Sequence, residues 1–109
     1  MDHEIRKKGK AVVAAFSGDI DFNSSPDVRK VLLDVLAGGT DVVVDMGNVR
    51  YIDSSGVASL IEAYQGAKSA GVQFVLANVS RPALRVLQLA RLEKVFAIYD
   101  SVDYALAAG

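Results

Sequence analysis

The stretch from Asp41 to Tyr64 constrains this chain most: a short apolar strand, Val42-Val43-Val44, leads through Asp45 to Tyr51-Ile52, then Asp53-Ser54-Ser55-Gly56, then a helical pattern. Val57, Leu60, Ile61 and Tyr64 follow at spacings of three, four and seven, which predicts a helix with one apolar face. A strand that is apolar on both faces and feeds directly into such a helix belongs in a sheet with helices packed on it. At about 100° per residue, Asp53 and Ser54 fall within roughly 30° and 70° of the centre of the apolar stripe, while Ser55 points roughly 170° away. Ser55 is therefore expected to be the hydroxyl turned to solvent. Asp53 is expected as the N-cap, and Gly56 as the residue that removes bulk beside Ser55 so that another molecule can approach. Ser59, Glu62 and Gly66 share the outer side of the wheel with Ser55. Such a stripe fits a partner-binding groove or an ordinary solvated helix face. Because Asp and Ser begin many helices, a plain capping motif is the more economical reading of these four residues alone.

At 109 residues the chain is expected to form one domain spanning 1–109, and 51% hydrophobic against 23% charged residues is a globular composition. Twelve basic and thirteen acidic residues leave a net charge of −1, without the electrostatic footprint of a nucleic-acid or anionic-membrane binder. Arg6-Lys7-Lys8 with Lys10 surrounds Gly9 and reads as a solvated hairpin tip. No cysteine is present, which removes disulfides, thiol nucleophiles and thiolate metal sites. Met1-Asp2-His3-Glu4 does not resemble a secretion signal, and no apolar run approaches a membrane span, so a cytoplasmic location is expected.

In chain order, residues 4–17 alternate around Lys8-Gly9 as a hairpin with an exposed first strand and a buried second one, ending at Ser17-Gly18. Ser25 as N-cap with Pro26 at the first helical position opens a helix carrying Val28, Val31, Leu32, Val35 and Leu36, and Gly38-Gly39 stops it. The central strand and helix follow, ending near Gly71, with Gly47-Asn48 in an expected turn. Val72–Ala77 reads as a strand, Ser80-Arg81-Pro82 opens a helix to about Arg91, and Val95–Tyr99 reads as the last strand. Asp100–Asp103 caps a final helix with Ala105 and Leu106 inward. The expected architecture is α/β: a mixed, mostly parallel sheet of about five strands opening with a hairpin, and four helices with right-handed crossovers. A flavodoxin-like domain would begin strand-helix, whereas here two strands precede any helix.

With this order, the chain resembles the STAS domain family, specifically the single-domain anti-sigma-factor antagonists, over nearly its whole length. The matching residues are Gly18-Asp19-Ile20-Asp21, Val42-Val43-Val44-Asp45, Tyr51-Ile52-Asp53-Ser54-Ser55-Gly56-Val57, Gly71-Val72-Gln73-Phe74 and Leu92-Glu93-Lys94-Val95-Phe96. Val57-Ala58 departs from the Leu-Gly of many antagonists, which narrows the approach slightly. The resemblance implies that the serine before the glycine, Ser55, is phosphorylated by a partner kinase. It also implies that the unphosphorylated form binds a serine-kinase anti-sigma factor and releases the sigma factor. Together with the outer stripe of the wheel, this makes Asp21, Asp53, Ser54, Ser55, Gly56, Ser59 and Glu62 the expected partner-binding residues. The alternative it implies is a STAS subunit of a transporter, of the lipid-trafficking ABC type, docking on its ATPase.

The residues themselves offer little catalytic chemistry. The sole histidine, His3, has no patterned partner that would make it the base for a nucleophilic serine. Asp19, Asp21, Asp45 and Asp53 read as an acidic rim rather than a cage for a divalent ion. Gly38-Gly39 follows a helix instead of opening one and is no phosphate loop. No enzymatic activity, cofactor, metal or nucleic acid is expected.

Overall fold

The computed structural model describes residues 1–108. Strands β1 (Asp2–Lys8) and β2 (Ala11–Ile20) form an antiparallel hairpin over Gly9, whose φ of +64° suits a glycine. Helix α1 (Ser25–Ala37), strand β3 (Asp41–Ile52), helix α2 (Ser54–Ala70), strand β4 (Phe74–Ala77) and helix α3 (Arg81–Leu89) follow. A short 3-10 turn at Leu92–Lys94, strand β5 (Ile98–Tyr99) and helix α4 (Val102–Ala108) complete the described residues. The sheet order is β1-β2-β3-β4-β5, with every pair after the hairpin parallel. This is the expected mixed α/β architecture, hairpin first.

The sheet divides the apolar residues into two layers. Val28, Leu32 and Leu36 of α1, Val57, Leu60 and Ala63 of α2, and Ala83 and Leu87 of α3 pack on Ala14, Phe16, Val42, Val44 and Leu76. The opposite face, Val13, Val43, Val75 and Ala77, is covered by Ala105 of α4. Tyr64, Phe74 and Phe96 close the larger layer as a tilted aromatic trio, Tyr64 meeting Phe96 edge-on with ring centres 5.4 Å apart. Each fully buried Leu, Val or Phe in these layers contributes about 1.5–3 kcal/mol.

Five boundaries differ from the sequence expectation, the first being the end of β2, which runs on to Ile20 rather than stopping at Ser17-Gly18. The turn expected at Gly47-Asn48 is instead the middle of β3. That strand carries twelve residues beside the ten of β2, and the register slips twice, between Ala15 and Ser17 and between Gly18 and Asp19. Accordingly the helix-facing residues of β3 run Val42, Val44, Met46, then Val49, then Ile52, two steps of two followed by two steps of three. Each step of three is a one-residue bulge, which breaks the alternation a strand is recognised by. Gly47 lies close under Asn78, where a Cβ would stand 2.2 Å from Nδ2 and 3.3 Å from the carbonyl oxygen, so a side chain there would push the Asn78 amide aside. The N-cap of α1 is Ser24, not Ser25, which is buried. Strand β4 begins at Phe74 rather than Val72, and the region from Val95 supplies only the two residues of β5.

Candidate functional site

The bulged extension of β3 delivers Ile52 beside Ile20, the last residue of β2, and the backbone N–H of Asp53 donates to the Ile20 carbonyl at 3.1 Å. Helix α2 therefore starts against the loop that follows β2. Asp53 is its N-cap, as expected from sequence: Oδ1 accepts from the Ser55 amide at 3.0 Å and the Gly56 amide at 3.1 Å. The same oxygen accepts the Ser55 hydroxyl at 2.6 Å, the length of a charge-assisted bond. The Ser55 hydroxyl is the main reason the Asp53 carboxyl titrates below the usual carboxylate range. Partial burial opposes this, and the amides of Gly56, Ser55 and Phe22 assist it.

The loop from Asp21 to Ser24 is built by its own side chains. Asp21 Oδ1 accepts the amides of Asn23 at 2.9 Å and Ser24 at 3.2 Å, while the Ser24 hydroxyl donates to the Asp19 carbonyl and accepts the Asp21 amide, both at 2.9 Å. Asp19 faces Arg50 at 3.5 Å, and Asp45 Oδ1 accepts Gly47 N–H at 3.0 Å inside the first bulge. Each of the four aspartates is thus engaged in shaping the backbone or in an ion pair. Among the described residues, no group of three or more His, Cys, Asp or Glu side chains stands where it could hold a metal ion. No helix of the described residues is long and apolar enough to cross a membrane.

Three readings of α2 are corrected by the packing. Ser59 is buried, with its hydroxyl 3.1 Å from the Ser25 carbonyl of α1 and 3.2 Å from the Ser55 carbonyl, so it is not on a solvent-facing stripe. Gly66 lies half-buried against Leu33 and Leu36 of α1, and Glu62, though exposed, pairs with Arg29 of α1. The side of α2 expected to face outward is in large part the seam with α1. The wheel, centred on large apolar residues, finds the sheet and overlooks a helix neighbour that is met through small residues. The rotation also reverses the serines: Ser54 is exposed and Ser55 half-buried. Gly56 is buried for an internal reason, since a Cβ would stand 2.7 Å from both Ile20 Cγ2 and Ile52 Cγ1. It lets α2 sit on the strand ends rather than opening a path to a visitor.

Asp53, Ser54, Ser55 and Gly56 are brought together at the α2 N-terminus, with the loop containing Asp21 beside them. Ser59 lies a turn inside, and Glu62 lies farther along the seam with α1. Two residues not expected as site residues stand exposed at the same end of the strands. Phe22 is 78% exposed in the Asp21–Ser24 loop, and Tyr51 is 52% exposed near the end of β3. The readable signal for Phe22 was a large aromatic in a tight Asp-Phe-Asn-Ser turn, where no local backbone need calls for one.

The STAS domain model matches residues 2–105, nearly the whole chain. The chain belongs to the STAS domain family. This STAS domain is 26% identical over 97 residues to the anti-sigma F factor antagonist of Paenibacillus polymyxa, covering 87% of this chain and 83% of that protein. Its fold matches the crystal structure of an anti-sigma factor antagonist from Mycobacterium paratuberculosis with a TM-score of 0.90 at 24% identity, over 98% of this chain and 92% of that one. A sulfate transporter family protein from Wolinella succinogenes shares the fold at a TM-score of 0.79 and 22% identity, over 93% and 85% of the two chains. The STAS fold thus occurs in both settings, and the site rather than the fold has to separate them.

Proposed function

We propose that this STAS domain is an anti-sigma-factor antagonist whose unphosphorylated form binds an anti-sigma factor that is also a serine kinase, freeing the sigma factor until Ser55 is phosphorylated. The observation that carries the reading is the Ser55 hydroxyl held at 2.6 Å by the Asp53 carboxylate in the first turn of α2. Ser55 is half-buried, yet its hydroxyl is fixed in orientation by Asp53 and stands at the end of the strands with the exposed Ser54, Phe22 and Tyr51. The curated relative named an anti-sigma F factor antagonist supports the same reading.

The switch follows from local electrostatics. Phosphorylation replaces the hydroxyl proton that Asp53 accepts with a group of about −1.5 to −2 charge. The Ser55–Asp53 bond is lost and two anions meet. The positive end of the helix dipole tolerates the new charge, so the fold survives while the surface presented to the partner becomes more negative and changes shape. Asp21 and Asp53 add to the negative potential, making desolvation of this rim against a partner costly.

The experiment is to incubate the protein with a serine-kinase anti-sigma factor and ATP, then locate the phosphate by fragment mass analysis. One phosphate on Ser55, absent from Ser55→Ala, is expected. A phosphate kept in Ser55→Ala and mapped to the more exposed Ser54 would overturn the assignment. For a transporter subunit docking on an ATPase, binding to the anti-sigma factor in a calorimetric titration would be absent.

A further inference from the structure

We propose that the free edge of β1 pairs antiparallel with β1 of a second copy of this chain, joining two five-stranded sheets into one of ten strands about a two-fold axis at Ile5. Strand β1 is outermost and bonded to β2 on one side only, and all seven of its residues are exposed. Its sequence is Asp2-His3-Glu4-Ile5-Arg6-Lys7-Lys8, with acidic residues in the first half, basic residues in the second and one apolar residue at the centre. Antiparallel pairing about Ile5 sets Asp2 opposite the second copy's Lys8 and Glu4 opposite the second copy's Arg6, twice over by symmetry. Ile5, 42% exposed in one copy, meets its own counterpart. Opposite charges directly across an antiparallel ladder are stabilising.

Among the described residues, the neighbouring strand β2 offers these side chains no opposite charge. Across the hairpin, Asp2, Glu4, Arg6 and Lys8 face Ser17, Ala15, Val13 and Ala11, none of them charged. Among the described residues, the ion contact made by β1 is Arg6 with Glu4 of the same strand, at 3.9 Å and exposed. Charges on an edge strand ordinarily hold copies apart. Here their order does so only for parallel, in-register pairing, which sets like against like. In the antiparallel arrangement the same charges are complementary and fix the register. Seven paired residues span about 24 Å. A contact of this size lies at the low end of stable interfaces, so the dimer forms in proportion to concentration rather than as an obligate unit.

The geometry leaves the α2 rim of each copy free. The two-fold axis reverses β2 in the second copy, so the strand ends that carry the two Asp53–Ser55 turns point to opposite ends of the joined sheet. A dimer of this kind presents two sites facing away from each other, and each can hold a partner without collision.

The test is sedimentation velocity over a dilution series. The wild-type protein is expected to pass from monomer to dimer as concentration rises, and Glu4→Arg or Arg6→Glu alone to weaken dimerisation by about tenfold or more. The double variant Glu4→Arg/Arg6→Glu is expected to recover it, as is an equimolar mixture of the two single variants, because both restore opposite charges across the axis. Circular dichroism of every variant should match the wild type, since β1 is exposed along its length. A wild-type monomer at the highest concentration would overturn the proposal. So would single variants that dimerise as the wild type does, or a mixture that does not recover.

Discussion

One oxygen of Asp53 accepts three hydrogen bonds, from two helix amides and the Ser55 hydroxyl, and this makes its ionisation a measurable property of the fold. Because the folded carboxyl is held below its ordinary range, the associated stability is fully present above the unfolded pKa and is lost as pH falls through the folded pKa. Asp53→Asn keeps an acceptor for the cap and removes the titration. We expect the variant to be less stable than the wild type at neutral pH by about 0.3–1 kcal/mol, with the difference closing as pH falls below the carboxylate range. Urea unfolding at neutral and acid pH measures it; a gap that stays constant with pH would mean that the charge contributes nothing. The cap was legible in the sequence because capping is a matter of a few adjacent residues. The exposure of Ser55 was not, because it depends on how the whole helix is rolled.

At the scale of elements, the seam between α1 and α2 is where local pattern and tertiary packing part company. Periodicity located both helices and most of their ends, since caps and glycines act locally: Gly71 closes α2 in a left-handed conformation, donating to the Ala67 and Lys68 carbonyls. It placed Ser59 outside, because a hydroxyl at that position looks the same whether it meets water or the Ser25 carbonyl of a neighbouring helix. The bulges of β3 were hidden for a related reason, each adding a residue that a period of two cannot accommodate. The seam yields a prediction. Ser59→Ala, which removes the bond to α1, should cost about 1 kcal/mol. Ser59→Arg, which forces a long cation between the helices, should cost at least about 3 kcal/mol and lower the thermal midpoint with it. Denaturant titration of both variants checks the order. An arginine at 59 accepted without loss would show that the two helices separate easily and that this side of α2 is open after all.

Across the whole molecule, chemistry and stability are segregated by the sheet. The larger core lies under α1, α2 and α3, the second layer lies under α4, and the capped serine turn stands at the end of the strands where β2 and β3 stop. The order of strands and helices could be read from sequence because β2, β3 and β4 each carry a short apolar run and each helix after them carries its own start signal. Which surface residues gather at one end could not, since Phe22, Tyr51 and Ser55 come from three separate elements. That gathering supports the last prediction, which rests on the antagonist reading. Phe22 is 78% exposed and contributes little to the core, so Phe22→Ala should leave the thermal midpoint nearly unchanged. Large aromatics at the centre of an interface carry much of its energy, so the same change should weaken binding to the anti-sigma factor by about tenfold or more, a loss above about 1.4 kcal/mol. Tyr104, 68% exposed on α4 across the sheet, is the control: Tyr104→Ala should leave both stability and affinity as they were. Calorimetric titration of the two variants decides it. Equal affinities for Phe22→Ala and Tyr104→Ala would remove the loop after β2 from the interface and leave the contact to Tyr51 and the first turn of α2.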